Sequence, residues 1–151
     1  MESQSHCKFS GLDSLRQPKK FSHHCAVIIG IGIDLVEVLR FEQTMERHGE
    51  RLLRRLFTQN EIDYCQSKAR AVEHFAARFA VKEAAMKALG TGQSEGIYWR
   101  DVETLREPDQ PPRIEFHGAA RKRFDALGAK RVLVSITHTR HSAIAQVILE
   151  G

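Results

Sequence analysis

Hydrophobic alternation begins abruptly near residue 26. Residues 27–33 read VIIGIGI; a period of two puts Val27, Ile29, Ile31 and Ile33 on one strand face and Ile28, Gly30, Gly32 and Asp34 on the other. Two glycines on one face mean that something approaches the backbone closely. Asp34 then ends the strand and opens a helix. Asp34-Leu-Val-Glu37 has capping-box spacing, with Asp34 as N-cap and Glu37 three residues on. Helical periodicity runs over about 35–47, with Gly49 near its end, and a short basic helix continues to Phe57. Thr58-Gln-Asn-Glu61 is a second capping box, opening a helix through about Lys68. The longest helical run, about 71–89, is stopped by Gly90 and Gly92. After it the period returns to two, with strands predicted over 97–105, 113–117, 131–137 and 142–149 and a helix over about 118–127. The last two strands flank the turn 138–141 and read as a hairpin. This order predicts an α+β domain over 26–151, with a small, mostly antiparallel sheet packed against a long helix and several shorter ones.

Residues 1–25 have no sustained apolar period and contain Gly11 and Pro18, so a loosely ordered extension is expected. Lys19 and Lys20 ahead of the apolar 26–33 resemble the start of an export signal. The small-residue cleavage site is missing, and Asp34 and Glu37 stand where it would fall.

The long helix poses a chemical question. In RFAVKEAAMKALG (78–90), at about 100° per residue, Val72, Phe75, Ala76, Phe79 and Met86 share a face, and Glu83 falls near its middle. A carboxylate at a core phase is costly unless a positive charge meets it. Lys87 lies four residues on, and an i,i+4 pair of this kind ordinarily supports a helix by about 0.2–0.5 kcal/mol. On an apolar face, desolvating both groups costs more than that. A divalent ion beside Glu83 and a phosphate beside Lys87 would resolve both costs. Asp34 offers a second carboxylate, and two hard oxygen ligands with open positions suit Mg²⁺ shared with a substrate diphosphate. For Asp34 the spacing alone favours the helix-capping role over the metal one.

Other chemistries are weaker. GIGID after a strand resembles a dinucleotide fingerprint but lacks the third glycine. His138 and His141, even with His23 and His24, sit without a cysteine pair or an HExxH and make a poor zinc site. No GxSxG elbow and no P-loop motif is found.

Composition narrows the setting. A hydrophobic fraction of 42% and a charged fraction of 28% are ordinary for a globular protein. No apolar run approaches the roughly 18 residues of a membrane helix. Three scattered cysteines without a CxxC read as free thiols in a reducing, cytoplasmic compartment. The net charge of +4 favours an anionic partner without choosing one. Arg47, Arg51, Arg54 and Arg55 cluster, with Arg40 upstream; interspersed with Glu42, Glu46 and Glu50, they form either a solvated face or a docking surface. A nucleic-acid module would interleave such cations with exposed aromatics. Phe41, Phe57, Phe75 and Phe79 fall instead on predicted core faces, which argues against nucleic acid.

Taken together, GIGIDLVEVLRF (30–41), LFTQNEIDYC (56–65), ARFAVKEAAMKALGTG (77–92), WRDVETL (99–105) and VSITHTRHSAIAQVIL (134–149, opened by Val132 and Leu133) resemble the holo-[acyl-carrier-protein] synthases, the short bacterial type of 4′-phosphopantetheinyl transferase. The resemblance covers about residues 27–150; only Val81 and Thr137 depart from the expected Ala and Ser. It implies the 4′-phosphopantetheinyl transferase-like fold. It also implies Mg²⁺-dependent transfer of 4′-phosphopantetheine from coenzyme A to a serine of apo acyl carrier protein, releasing adenosine 3′,5′-bisphosphate. By resemblance Asp34 and Glu83 hold Mg²⁺, Glu83 also takes the serine proton through a water, and Lys87 serves the leaving phosphate. Glu37 matches an acidic position near the metal, with helix capping as an equal alternative. Ser135, Thr137 and His138 match a segment that contacts coenzyme A phosphates, with His138 acting either as imidazolium or while neutral. Arg78 and Lys82 are expected at the diphosphate or the 3′-phosphate, a solvent-facing role being the alternative for Lys82. Arg40 matches a carrier-docking position, and Arg47 and Arg51 join it on charge. The resemblance further implies a homotrimer with sites at subunit interfaces, His138 coming from a neighbour, and the strand glycines on an exposed face near such a site. An inactive structural subunit is the remaining rival; it would leave Asp34, Glu83 and Lys87 unexplained.

Overall fold

The first strand runs further than a capping box at Asp34 would allow. In the computed structural model, which describes residues 26–92 and 96–151, β1 spans Ile28–Glu37 and pairs antiparallel with β5, Ser142–Glu150, as far as Glu37 opposite Ser142. Asp34 lies mid-ladder opposite Ala145. Helix α1, Val38–Leu56, starts after Glu37, which occupies the N-cap position with no side-chain capping bond. The predicted box is therefore absent: a ladder against a full partner strand outweighs a local cap. Neither Asp34 nor Glu37 spends its carboxylate on a helix terminus. The expectation for residues 1–25 lies outside the described residues.

Most other elements fall where periodicity put them. α1 breaks at Gly49 (φ 58°, ψ −145°), so the basic segment beyond it is a separate helical piece. α2 is Gln59–Gln66, opened by the full Thr58–Glu61 capping box. α3 is Ala71–Leu89, closed by Gly90 in the left-handed conformation (φ 74°). A single 3₁₀ turn at Trp99–Asp101 precedes β2, Val102–Leu105, which pairs with β3, Arg113–Phe116. Helix α4, Gly118–Ala126, leads to β4, Arg131–His138, which forms the expected hairpin with β5. The larger sheet has the order β1-β5-β4. Among the described residues, no helix is long and apolar enough to cross a membrane.

Helix α3 is the axis of the molecule. It was expected to bury one face; it buries nearly all of them, because β1 and β5 cover one side while α1, α2 and β2 cover others. Its alanines at 80, 84, 85 and 88 let the sheet approach closely. A Cβ at Gly30 or Gly32 would collide with the carbonyl oxygen of Ala88 or Ala84. The close neighbour signalled by those glycines is thus the α3 backbone, and they lie on the inner face of β1 rather than an exposed one.

Lys82 departs furthest from expectation. Its side chain is wholly buried, and Nζ donates to Glu61 Oε2 (2.7 Å), to the Trp99 carbonyl (3.1 Å) and to the Val102 carbonyl. Burial pulls its pKa below the ordinary lysine value, and the Glu61 carboxylate opposes that pull. With all three protons committed, Lys82 has no donor for a coenzyme A phosphate, and both that role and a solvent-facing one are corrected here. Glu61 is equally occupied, accepting from Thr58 N (3.1 Å) and Thr104 N (3.0 Å). One ion pair therefore ties α2, α3, the 3₁₀ turn and β2 together.

Removing one partner of such a pair leaves an uncompensated buried charge. Lys82→Met is expected to lower stability by about 3–5 kcal/mol; a urea midpoint within error of wild type would contradict this. Glu103 supplies a pH-dependent contribution. Burial opposes its ionisation, but hydrogen bonds from Thr58, His117 and Asn60 prevail and hold its pKa below the ordinary 4.5. This contribution is fully present above pH 4.5 and is lost as the pH falls through the lower folded value. Glu103→Gln should flatten the acid limb of stability below pH 4.5, read from urea midpoints against pH.

Candidate active site

Three carboxylates face one cleft. Asp34 and Glu37 of β1 line it together with Glu83 of α3, Arg40 and Phe41 of α1, and Trp99; its volume is about 600 Å³. Leu52, Leu56 and Phe79 complete an apolar wall. Asp34 points inward because it lies on the same strand face as Gly30 and Gly32, which α3 covers. Phe79, Glu83 and Lys87 follow one another at i, i+4 along α3's least covered stripe. Strand and helix thus converge their carboxylates at the cleft.

The polar contacts are specific. Lys87 Nζ donates to Asp34 Oδ1 (2.7 Å) and to the Ile33 carbonyl (2.9 Å). Lys87 therefore answers Asp34 across the helix–strand seam rather than Glu83 along the helix. Glu83 Oε1 accepts the indole N–H of Trp99 at 2.6 Å. Asp34 and Glu83 are partly covered rather than sealed, at an open cleft mouth. Among the described residues no group of three or more His, Cys, Asp or Glu side chains converges in metal-ligand fashion. Two carboxylates fit a hard divalent ion that keeps coordination positions for substrate oxygens and water, and they fit a dedicated protein cage poorly. The Lys87 ammonium against Asp34 shows that this corner attracts positive charge.

The remaining candidates separate into two regions. Arg40 lines the cleft. Arg47 and Arg51 are exposed on either side of the Gly49 break and do not line it. Ser135 and Thr137 lie on the open face of β4, whereas His138 at the strand end faces Glu73 (Nδ1 to Oε2, 3.6 Å) and packs near His74 (ring centroids 5.3 Å). Ten residues of α3 separate Glu73 from Glu83, about 15 Å along the axis, so one chain does not bring His138 to the Asp34–Glu83 cleft. Arg78 belongs to the His138 side. It is buried with its guanidinium 3.9 Å from the Tyr64 ring centroid, and its Nε is unpartnered among the described residues. Burial, then the neighbouring His138, Arg78 and Lys68, hold the pKa of His74 below the ordinary histidine value. Arg70, His74, Arg78 and His138 gather on that side of the chain around the Glu73 carboxylate.

Two groups escaped the sequence reading. Trp99, the chain's only tryptophan, drew notice only as part of WRDVETL, because periodicity placed it in a strand and gave its indole no direction. A second cleft of about 630 Å³ is lined by Arg54, Arg55, Thr58, Tyr98, Arg100, Asp101, Glu103 and His117. Cys65 is no candidate nucleophile, since burial pushes its thiol up to about 12.

Comparison with known proteins bears on the fold and the family. The sequence profile of the 4′-phosphopantetheinyl transferase superfamily matches residues 30–145. A holo-[acyl-carrier-protein] synthase from Koribacter versatilis is 54% identical over 124 residues, covering 82% of this chain and 99% of the relative. One from Geobacter sulfurreducens is 44% identical, covering 82% of this chain and 98% of the relative. Among solved structures, the synthase from Neisseria meningitidis superposes with a TM-score of 0.76 at 28% identity, covering 83% of this chain and 100% of that one. The Bacillus anthracis synthase, solved in complex with coenzyme A, gives a TM-score of 0.67 at 32% identity, with 82% and 96% coverage. With its α+β fold, its carboxylate cleft and these relatives, the chain belongs to the holo-[acyl-carrier-protein] synthases of the 4′-phosphopantetheinyl transferase superfamily.

Proposed function

We propose that this enzyme transfers 4′-phosphopantetheine from coenzyme A to a serine of an apo acyl carrier protein, with Mg²⁺ held by Asp34 and Glu83. The observation that carries the proposal is the convergence of those two carboxylates on one cleft, with Lys87 within 2.7 Å of Asp34. When bound, Mg²⁺ neutralises charge on the transferring phosphoryl group. Glu83 takes the serine proton, through a water, as the serine oxygen bonds to the phosphorus that carries the pantetheine arm. The bond from that phosphorus to the adenosine 3′,5′-bisphosphate breaks, and Lys87 stabilises the charge left on the departing oxygen. Glu37 adds negative charge to the cleft wall. Arg40 at the cleft edge, with Arg47 and Arg51 further along α1, offers an acidic carrier protein a docking face. A cytoplasmic location accords with Cys65 as a free, buried thiol.

The working unit in this reading is a homotrimer. The sheet face turned away from α3 exposes Ile31 (58%), Ile33 (59%), Leu35 (56%) and Leu133 (40%). The register places Ile31 and Leu133 both opposite Ile148, so these side chains share one face that runs across all three strands, with Gln146, Ser135 and Thr137 set among them. Patches of this kind mark interfaces. Association through it would bring the Ser135, Thr137, His138 and Arg78 side of one chain to the Asp34–Glu83 cleft of the next, where those residues would hold coenzyme A phosphates.

Mass spectra of an apo carrier protein incubated with enzyme, coenzyme A and Mg²⁺ test the reaction. One phosphopantetheine should be gained, and Glu83→Gln should lower the rate by about 10³-fold, equivalent to about 4 kcal/mol; equal rates would contradict the assignment. Glu83→Gln and His138→Ala chains, each impaired alone, should regain activity when unfolded and refolded together, because mixed trimers contain sites with both native groups. Ile33→Asp should sediment as a monomer without activity. A fully active monomer would sink the trimer.

A further inference from the structure

Two consecutive residues of α3 grip the same tryptophan from opposite ends. Lys82 donates to the Trp99 backbone carbonyl (3.1 Å), and Glu83 accepts the Trp99 indole N–H (2.6 Å). The ring is fixed from the sides as well. Phe79, one turn before Glu83, packs against it with centroids 6.3 Å apart, and the Arg55 guanidinium lies 5.6 Å from the ring centroid. An indole held by backbone and ring at once has little freedom to release the carboxylate that it binds. It carries a single donor and no acceptor, so it occupies Glu83 Oε1 and leaves Oε2 for another partner at the cleft that Glu83 lines.

We propose that Trp99 is a positioning residue for the transfer reaction: its indole N–H clamps Glu83 Oε1 so that the carboxylate presents Oε2 in one orientation. The inference rests on the proposed role of Glu83 at the metal and extends it to a residue that touches no reacting atom. A carboxylate on a helix surface otherwise samples several rotamers, and immobilising it before substrate arrives lowers the barrier rather than improving substrate binding. Because the chain has only one tryptophan, the clamp also reports on itself. Its fluorescence and its single indole N–H resonance both read the ligation state of Glu83.

The test uses the full-length enzyme without coenzyme A or carrier. Mn²⁺, an oxygen-liganded substitute for Mg²⁺, should quench Trp99 fluorescence saturably. Excess Mg²⁺ should reverse the quenching, and Glu83→Gln should abolish it. The indole N–H resonance should lie downfield and shift as Mg²⁺ is added. Trp99→Phe, which keeps a ring and loses the donor, should lower kcat about tenfold while KM for coenzyme A and for carrier stays within twofold. Trp99→His, which restores a ring N–H, should recover part of the loss. A folded Trp99→Phe enzyme with kcat within twofold of wild type would overturn the proposal. So would an indole resonance unmoved by Mg²⁺ in an enzyme whose fluorescence Mn²⁺ quenches, and that arm needs no variant to fold. Absence of quenching in wild type together with an active Glu83→Gln enzyme would overturn the metal assignment itself, a distinct result.

Discussion

The buried pair of Lys82 and Glu61 is the contact on which the rest of this molecule depends. Taking an ammonium and a carboxylate out of water is expensive, and here the cost is offset by giving every proton and both carboxylate oxygens a partner. Those partners belong to four elements: the start of α2, α3, the 3₁₀ turn and β2. An apolar contact of similar size would tolerate sliding. Directional hydrogen bonds do not, and they fix the height of Trp99 relative to α3. Glu83, the carboxylate proposed to take the serine proton, follows one residue later on the same helix. In this arrangement the most deeply buried charge and the cleft carboxylate are neighbours in sequence, linked in space through Trp99.

A second constraint comes from shape. Gly30 and Gly32 allow β1 to lie against the α3 backbone, and the alanine-rich side of α3 offers no bulk to hold it away. This close seam lets Asp34, on a strand, and Glu83, on a helix, line one cleft, with Lys87 bonded to Asp34 across the seam. The same packing turns the large aliphatic side chains of β1 outward, along with Leu133 of β4. The inner face is satisfied within one chain and the outer face is not, which is the physical basis for reading the site as shared between copies. The basic segment beyond Gly49 contributes separately, since Arg55 both rests on Trp99 and lines the second cleft.

Much of this was legible in the sequence, for identifiable reasons. The Thr58–Glu61 capping box, the glycine stop after Leu89 and the terminal hairpin are local signals, and local physics decided them. That Glu83 and Asp34 belong to one site was legible as an electrostatic cost in search of a cation, and both line the same cleft. The failures share a cause. Asp34-Leu-Val-Glu37 satisfies the capping pattern, but the ladder with β5 is a long-range interaction that the pattern does not contain. Lys82 looked available because a lysine on a helix usually is; its partner lies 21 residues away, at a capping position whose own role seemed complete. Trp99 was hidden because a hydrogen bond between residues 83 and 99 leaves no periodic trace.

In the proposed reaction Lys82 acts by holding Trp99, and through it Glu83, in place, with its own protons committed to Glu61 and two backbone carbonyls. Steady-state kinetics of the Lys82→Met enzyme, taken at a temperature where it is folded, test this most directly. kcat should fall at least tenfold while KM for coenzyme A stays within twofold of wild type, the pattern of lost preorganisation. A KM for coenzyme A raised tenfold with kcat unchanged would mean that Lys82 binds the substrate after all.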